Sequence, residues 1–199
     1  MNLTRFVVAA IYFIAYLGIF PPIQAQTVAE LPASTRLAMP GDKHRWLEPL
    51  AGKWAVEMRV WPTASAQPII SMEMVASREW ILGGRYLREE VSGQFAGNPS
   101  NRVGILSFNN LEERFEFSTI DSFEPGQMWY ASRSVGTPKF ISMAGENTEA
   151  GFGVKPTGRK RELRFDIEIA TGSSTQRIFV KYAGEPEFLF VEHRFTPLP

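Results

Sequence analysis

The chain reads as an all-β protein, an antiparallel up-and-down β-barrel of about ten strands behind a short helical turn. Three observations carry this. Short segments alternate apolar and polar residues with period two, as in Leu163, Phe165, Ile167 and Ile169 against Glu162, Arg164, Asp166 and Glu168. Glycine, proline and asparagine clusters separate those segments at hairpin spacing. No helical period stands between successive strands, which argues against crossovers and a parallel sheet. Ten such strands either stack as a sandwich or close. Closure removes exposed strand edges and leaves an interior that side chains only partly fill.

Residues 1–25 read as a secretory signal peptide. Arg5 is the basic start, Phe6 to Phe20 is an uncharged apolar run, Pro21 and Pro22 break it, and Ile23-Gln24-Ala25 offers a cleavage site. The run is shorter than the ~20 residues of a spanning helix, so cleavage, and no membrane span after it, is expected. The chain has no cysteine, so neither a disulfide framework nor a lipid-anchored cysteine is available. Export without disulfides fits a bacterial periplasm. Residues 26–42, with Pro32, Pro40 and Gly41, read as a flexible arm.

The barrel domain is expected over 43–199. Lys43 to Leu50 has helical spacing in Trp46, Leu47 and Leu50, a potential cap in Asp42 and a stop at Pro49. The first strand, Lys53 to Trp61, presents Trp54, Val56, Met58 and Val60 on one face. The second, Ile69 to Ile81, is read with Ile70, Met72 and Met74 on one face, and Gly83-Gly84 turns it into the third, Arg85 to Val91. The fourth and fifth, Arg102 to Phe108 and Arg114 to Asp121, flank an Asn109-Asn110 loop. The sixth, Gln127 to Val135, follows Pro125-Gly126, and the seventh spans Phe140 to Gly145. A Gly- and Pro-rich loop, 149–160, precedes the eighth strand, Arg161 to Ala170. Gly172-Ser173 and Gly184-Glu185-Pro186 then set off the ninth and tenth, Thr175 to Tyr182 and Glu187 to Thr196.

Composition excludes several function classes. Basic and acidic residues number 21 each, and loss of Arg5 leaves 20 against 21, so no global field attracts nucleic acid. Two histidines, His44 and His193, do not make a His-rich metal centre, and His44 with Glu48 is read as a salt bridge or solvated pair. No Gly-x-Ser-x-Gly elbow or dinucleotide fingerprint is present. The adjacent acids Glu89-Glu90 point to opposite faces of a strand and Glu112-Glu113 reads as a solvated turn, so neither pair forms an acid–base couple.

Leu47-x-x-Leu50-x-Gly52-x-Trp54 after a helical turn resembles the opening of lipocalin-like (calycin) barrels. With Leu82-Gly83-Gly84-Arg85-Tyr86-Leu87 and Gly104-Ile105-Leu106-Ser107-Phe108-Asn109, it resembles the bacterial family of domain of unknown function 1579. The resemblance covers roughly Lys43 to Phe195. It implies a barrel whose closed end is crossed by Trp54, reached by Gly52. It also suggests an arginine partner for that ring, for which Arg194 near the closing seam is the candidate. It implies no activity.

The expected function is therefore binding of a small apolar or amphipathic ligand in the lumen, by a monomer or homodimer. Trp54, Met58, Met74, Trp80, Phe117, Trp129 and Met143 are the expected lining, the methionines because flexible thioethers adapt to irregular ligands. Arg88 with Glu90, or Arg78 beside Trp80, would anchor a carboxylate or phenolic group if they face inward. His193 is in phase with Leu189, Val191 and Phe195, whereas Phe188 and Phe190 occupy the other face, and the pattern leaves open which is inside. An inward His193 is placed similarly to the late-strand haem ligand of nitrobindin-like barrels, but no cofactor is the expected state. The alternatives are a barrel enzyme using Arg88, Glu90 or His193, and a solidly packed barrel whose loops bind a cell-envelope partner.

Overall fold

The computed structural model describes residues 28–151 and 155–198. The expected signal peptide lies outside the described residues. Contacts divide the chain into two units, 1–31 and 32–199. Within the first, Val28–Glu30 forms a 3-10 turn. Among the described residues no helix is long and apolar enough to cross a membrane.

In the second unit, ten antiparallel strands close into one barrel: β1 (Gly52–Val60), β2 (Ile69–Ile81), β3 (Tyr86–Phe95), β4 (Asn98–Asn109), β5 (Arg114–Asp121), β6 (Met128–Ala131), β7 (Phe140–Thr148), β8 (Lys160–Ala170), β9 (Ser173–Tyr182) and β10 (Phe188–Pro197). Each pairs with its sequence neighbours, and β1 pairs with β10 from Trp54 opposite Pro197 to Val60 opposite Val191. The alternation in the sequence is the reason. Most strands carry one mainly apolar face, and a closed sheet buries those faces together.

Three departures from the expected strands have local causes. β3 and β4 run further than their sequence suggests because Ala96 and Gly97, both at positive φ (49° and 78°), make a two-residue turn that pairs Phe95 with Asn98. Pro99 therefore sits in a strand, where proline is a poor indicator. β6 is only four residues long, and its register with β7 is a single pair, Ala131 opposite Ala144. Beyond it, Ser132 N–H still donates to the Phe115 carbonyl, while the Ser132 Oγ accepts the Phe115 N–H. Ile70 and Met72 do not share a face with Met74. The β1–β2 register shifts between Val56 and Met58, so Ser71 and Met74 turn inward while Ile70 and Met72 are exposed. The bulge brings the Glu73 backbone against Gly93, where an added Cβ would lie 2.1 Å from the Glu73 carbonyl oxygen.

Residues 32–41, read from sequence as part of a flexible arm, hold a short helix α1 (Ala33–Leu37), and Asn110 Nδ2 donates to the carbonyls of Leu37 and Met39 at 2.9 and 2.8 Å. Helix α2 (Asp42–Arg45) is capped not by Asp42 but by His44, whose Nδ1 accepts the Gly41 N–H at 3.0 Å. His44 is buried edge-on against Phe108. A 3-10 turn, Glu48–Leu50, follows and drives Leu47 and Leu50 into the core beside Phe108, Phe115 and Leu106. This end of the barrel is filled.

Trp54 is buried at that end, and its Nε1 donates to the Leu50 carbonyl at 2.9 Å. The Gly52-x-Trp54 motif thus ties the first strand to the turn that plugs the barrel. Trp54→Phe keeps an aromatic side chain, smaller than the indole, but leaves the Leu50 carbonyl without its indole donor. It is expected to lower the free energy of unfolding by about 1–2 kcal/mol, read from a urea titration. An unchanged midpoint would mean that the bond contributes nothing.

Candidate ligand-binding site

The barrel is filled unequally. Towards the plugged end, Leu87, Leu106, Phe115, Phe117, Tyr130, Ile141, Met143, Phe165 and Ile167 interlock, with Phe117 stacked on Phe165 at 4.8 Å between centroids. Towards the other end a cavity of about 470 Å³ remains. It opens among the β1–β2, β3–β4, β5–β6 and β7–β8 connections, since Pro62, Ala96, Phe123 and Ala150 all border it. Its walls are largely apolar: Met58, Val60, Met74, Val91, Phe95, Met128, Ile178, Phe190 and Val191.

At its inner side the cavity reaches Arg102 and His193. Both belong to a buried polar group spanning β2, β3, β4, β9 and β10. Glu89 is its centre. One carboxylate oxygen accepts Arg78 Nε at 2.6 Å and Gln176 Nε2 at 3.0 Å, and the other accepts Arg102 Nη2 at 2.6 Å. Arg102 Nη2 also reaches Gln176 Oε1 at 2.8 Å, and Arg78 Nη1 donates to Ser174 Oγ at 3.0 Å. The Arg78 guanidinium lies over the Phe195 ring at 3.7 Å and over Trp54 at 5.9 Å.

The electrostatics follow from burial. Desolvation pushes the Glu89 carboxyl up, but Arg78 and Arg102 outweigh it and hold it down at about 2. Burial lowers His193 well below the usual imidazole value, and Arg102 lowers it further, so the ring is neutral near pH 7. Burial also pulls Arg78 below its ordinary value, partly offset by Glu89. Two guanidiniums thus face one carboxylate. Among the described residues, Arg78 Nη2, Arg102 Nε and His193 Nδ1 are buried with no hydrogen-bond partner.

At the mouth the balance is reversed. Arg161 Nε donates to Asn147 Oδ1 at 2.7 Å, its guanidinium pairs with Glu124, and Glu149 Oε2 lies 3.7 Å away. Asp121, Glu124 and Glu149 all border the cavity there. Among the described residues no cluster of three metal-ligating side chains occurs.

The residues singled out from sequence divide into three sets. Met58, Met74 and His193 line the cavity. Trp54, Phe117 and Met143 are buried in the packed core and do not border it, and Trp80 is half-buried against the same core. Four face out. Trp129 is 62% exposed, because Met128 and Tyr130 take the inner face of β6. Arg88 pairs with both Glu90 and Glu79 on the outer surface, because Leu87, Glu89 and Val91 hold the inner face of β3. Neither Arg88 nor Glu90 shares space with His193. Arg194 is half-exposed and paired with Glu192, so the arginine over Trp54 is Arg78.

The ambiguity in β10 resolves through a bulge. The β9–β10 register shifts between Leu189 and Val191, so Phe188 packs inward before it and Val191, His193 and Phe195 pack inward after it. Glu89, Arg102 and Gln176 escaped the sequence reading. The signal was there: each charged or amide group sits two residues from apolar partners on the inner face, Glu89 between Leu87 and Val91, Arg102 two before Gly104, Gln176 two before Ile178.

A family model described as protein of unknown function (DUF1579) matches residues 39–185, which takes in α2, β1 to β9 and the Arg78–Glu89–Arg102–Gln176 group. Comparison with curated proteins finds no match.

Proposed function

The chain belongs to the DUF1579 family of proteins of unknown function, and from that premise we propose that it is a carrier that holds a small amphipathic molecule in the barrel lumen. One observation supports this reading above others: a cavity of about 470 Å³, apolar on its walls and polar at its inner side, inside a barrel whose opposite end is plugged. Ligand pockets of roughly 300–1,000 Å³ with apolar walls and a few convergent polar groups are the common form of small-molecule sites. Met58, Met74 and Met128 give three adaptable walls. The N-terminal signature supports placing this carrier in the bacterial periplasm.

The test uses the neutral fluorophore N-phenyl-1-naphthylamine and native mass spectrometry of the protein isolated from the periplasm. The dye is expected to bind with enhanced, blue-shifted emission. Met58→Trp and Val91→Trp, each of which fills the cavity from a different wall, are expected to weaken it at least tenfold with unaltered far-ultraviolet circular dichroism. Undiminished dye binding in both folded variants would place the dye elsewhere and remove the lumen as the site. The mass spectrum is expected to show an organic adduct; a haem mass would instead bring His193 forward as a ligand.

A further inference from the structure

The charge inside the barrel is not balanced, and that imbalance selects a class of ligand. Resting on the carrier reading above, we propose that the lumen takes an organic carboxylate, its apolar body in the cavity and its carboxylate against Arg102 beside His193.

Two guanidiniums bring ten N–H donors between them. The acceptors that reach them are the two oxygens of Glu89, Gln176 Oε1 and Ser174 Oγ. Donors are left over, and they are buried: Arg78 Nη2 and Arg102 Nε have no partner, and His193 Nδ1, a donor in one of the two neutral tautomers, has none either. A buried unpaired donor on a charged group costs free energy until something accepts from it. Arg78 is sealed, its side chain 1% exposed, but Arg102 and His193 border the cavity. A ligand entering the lumen therefore meets the acceptor-poor side of the group.

Charge then narrows the chemistry. One carboxylate against two guanidiniums leaves a single net positive charge around the inner side, with His193 neutral. A cation would be repelled there, and a neutral alcohol would supply one oxygen and no charge. A carboxylate supplies two acceptors and the missing charge, in the planar geometry that a guanidinium matches. The mouth enforces the orientation. Arg161 is already engaged by Glu124, Glu149 and Asn147, and Asp121 accepts the N–H groups of Phe123 and Glu124. Among the described residues that border the mouth, Asp121, Glu124 and Glu149 stand against Arg161, which they already engage in part, so a carboxylate is disfavoured at the mouth and favoured inside. The apolar remainder then lies along Phe95, Met128 and Phe190 towards the opening.

Isothermal titration of the purified protein with dodecanoate, dodecan-1-ol and dodecyltrimethylammonium separates head group from chain. Dodecanoate is expected to bind at least tenfold more tightly than the alcohol, and the trimethylammonium ion more weakly than either. Arg102→Met is expected to bring dodecanoate within about threefold of the alcohol. His193→Phe, which preserves the Arg78–Glu89–Arg102 contacts, provides a second variant if the first does not fold; it is expected to weaken dodecanoate selectively. Equal binding of acid and alcohol, or a preference for the acid that survives Arg102→Met in folded protein, would overturn the carboxylate assignment and leave the carrier intact. Failure of all three chains and of the neutral dye to bind would remove the carrier reading, and the assignment with it.

Discussion

Glu89→Leu is expected to lower the free energy of unfolding by about 3–5 kcal/mol, the largest effect of any single change in the lumen. Among the described residues, this carboxylate is the only anion that contacts both Arg78 and Arg102. Without it two like charges face each other in a nearly dry interior. They are not equally stranded. Arg102 borders the cavity, where water can reach it, whereas Arg78 has only Ser174 Oγ and the Phe195 face left. The penalty should therefore sit on Arg78. Adding Arg78→Met to Glu89→Leu is expected to restore most of the loss, while adding Arg102→Met restores less. A double-mutant cycle by urea unfolding reads both coupling energies. Glu89→Gln should fall between, since its amide oxygen still accepts from one guanidinium but no longer offsets charge. A loss below about 1 kcal/mol for Glu89→Leu would show that the two arginines tolerate each other without it, and the charge argument for the lumen would fail.

The fold was legible because the barrel asks little of the sequence beyond alternation and turns. Leu163 to Ile169 and Trp54 to Val60 face inward as their period predicts. What alternation cannot reveal is a change of phase. In β2 and β10 a bulge moves the inner face by one residue partway along, so Met72 is exposed and both Phe188 and His193 turn inward. The candidate site was harder to read for a different reason. Charged residues on a strand are ordinarily assigned to water, and the pair Arg88 and Glu90 drew attention as a polar anchor while Glu89 between them was the buried one. Glu89 stays inside only because Arg78, Arg102 and Gln176 converge on it from 11, 13 and 87 residues away. Convergence of that kind belongs to the closed sheet, not to any local pattern.

Acid is expected to destabilise the barrel in two stages, first through buried histidines and then through Glu89. In the folded protein burial keeps His193 and His44 neutral below the ordinary imidazole value of 6.5, with Arg102 adding to the effect on the first and Arg85 on the second. Unfolding frees both to protonate near that value. The unfolded chain then binds more protons than the folded one, so stability falls as pH drops below about 6.5. Glu89 acts in a lower window. Its carboxylate titrates at 4.5 when free and at about 2 in the barrel, so the stability it contributes is complete above 4.5 and is lost as pH falls from there towards 2. A shift of that size corresponds to about 3 kcal/mol. Urea midpoints followed by tryptophan fluorescence from pH 8 to pH 3 are expected to stay level to about 6.5, decline gently, then decline more steeply below 4.5. His193→Phe should reduce the first decline, leaving the share of His44, and leave the second in place. A midpoint that holds constant between pH 7 and 5 in the parent protein would mean that His193 is already solvated or paired in the lumen. The partnerless imbalance of donors beside Arg102 would then be smaller than its geometry implies.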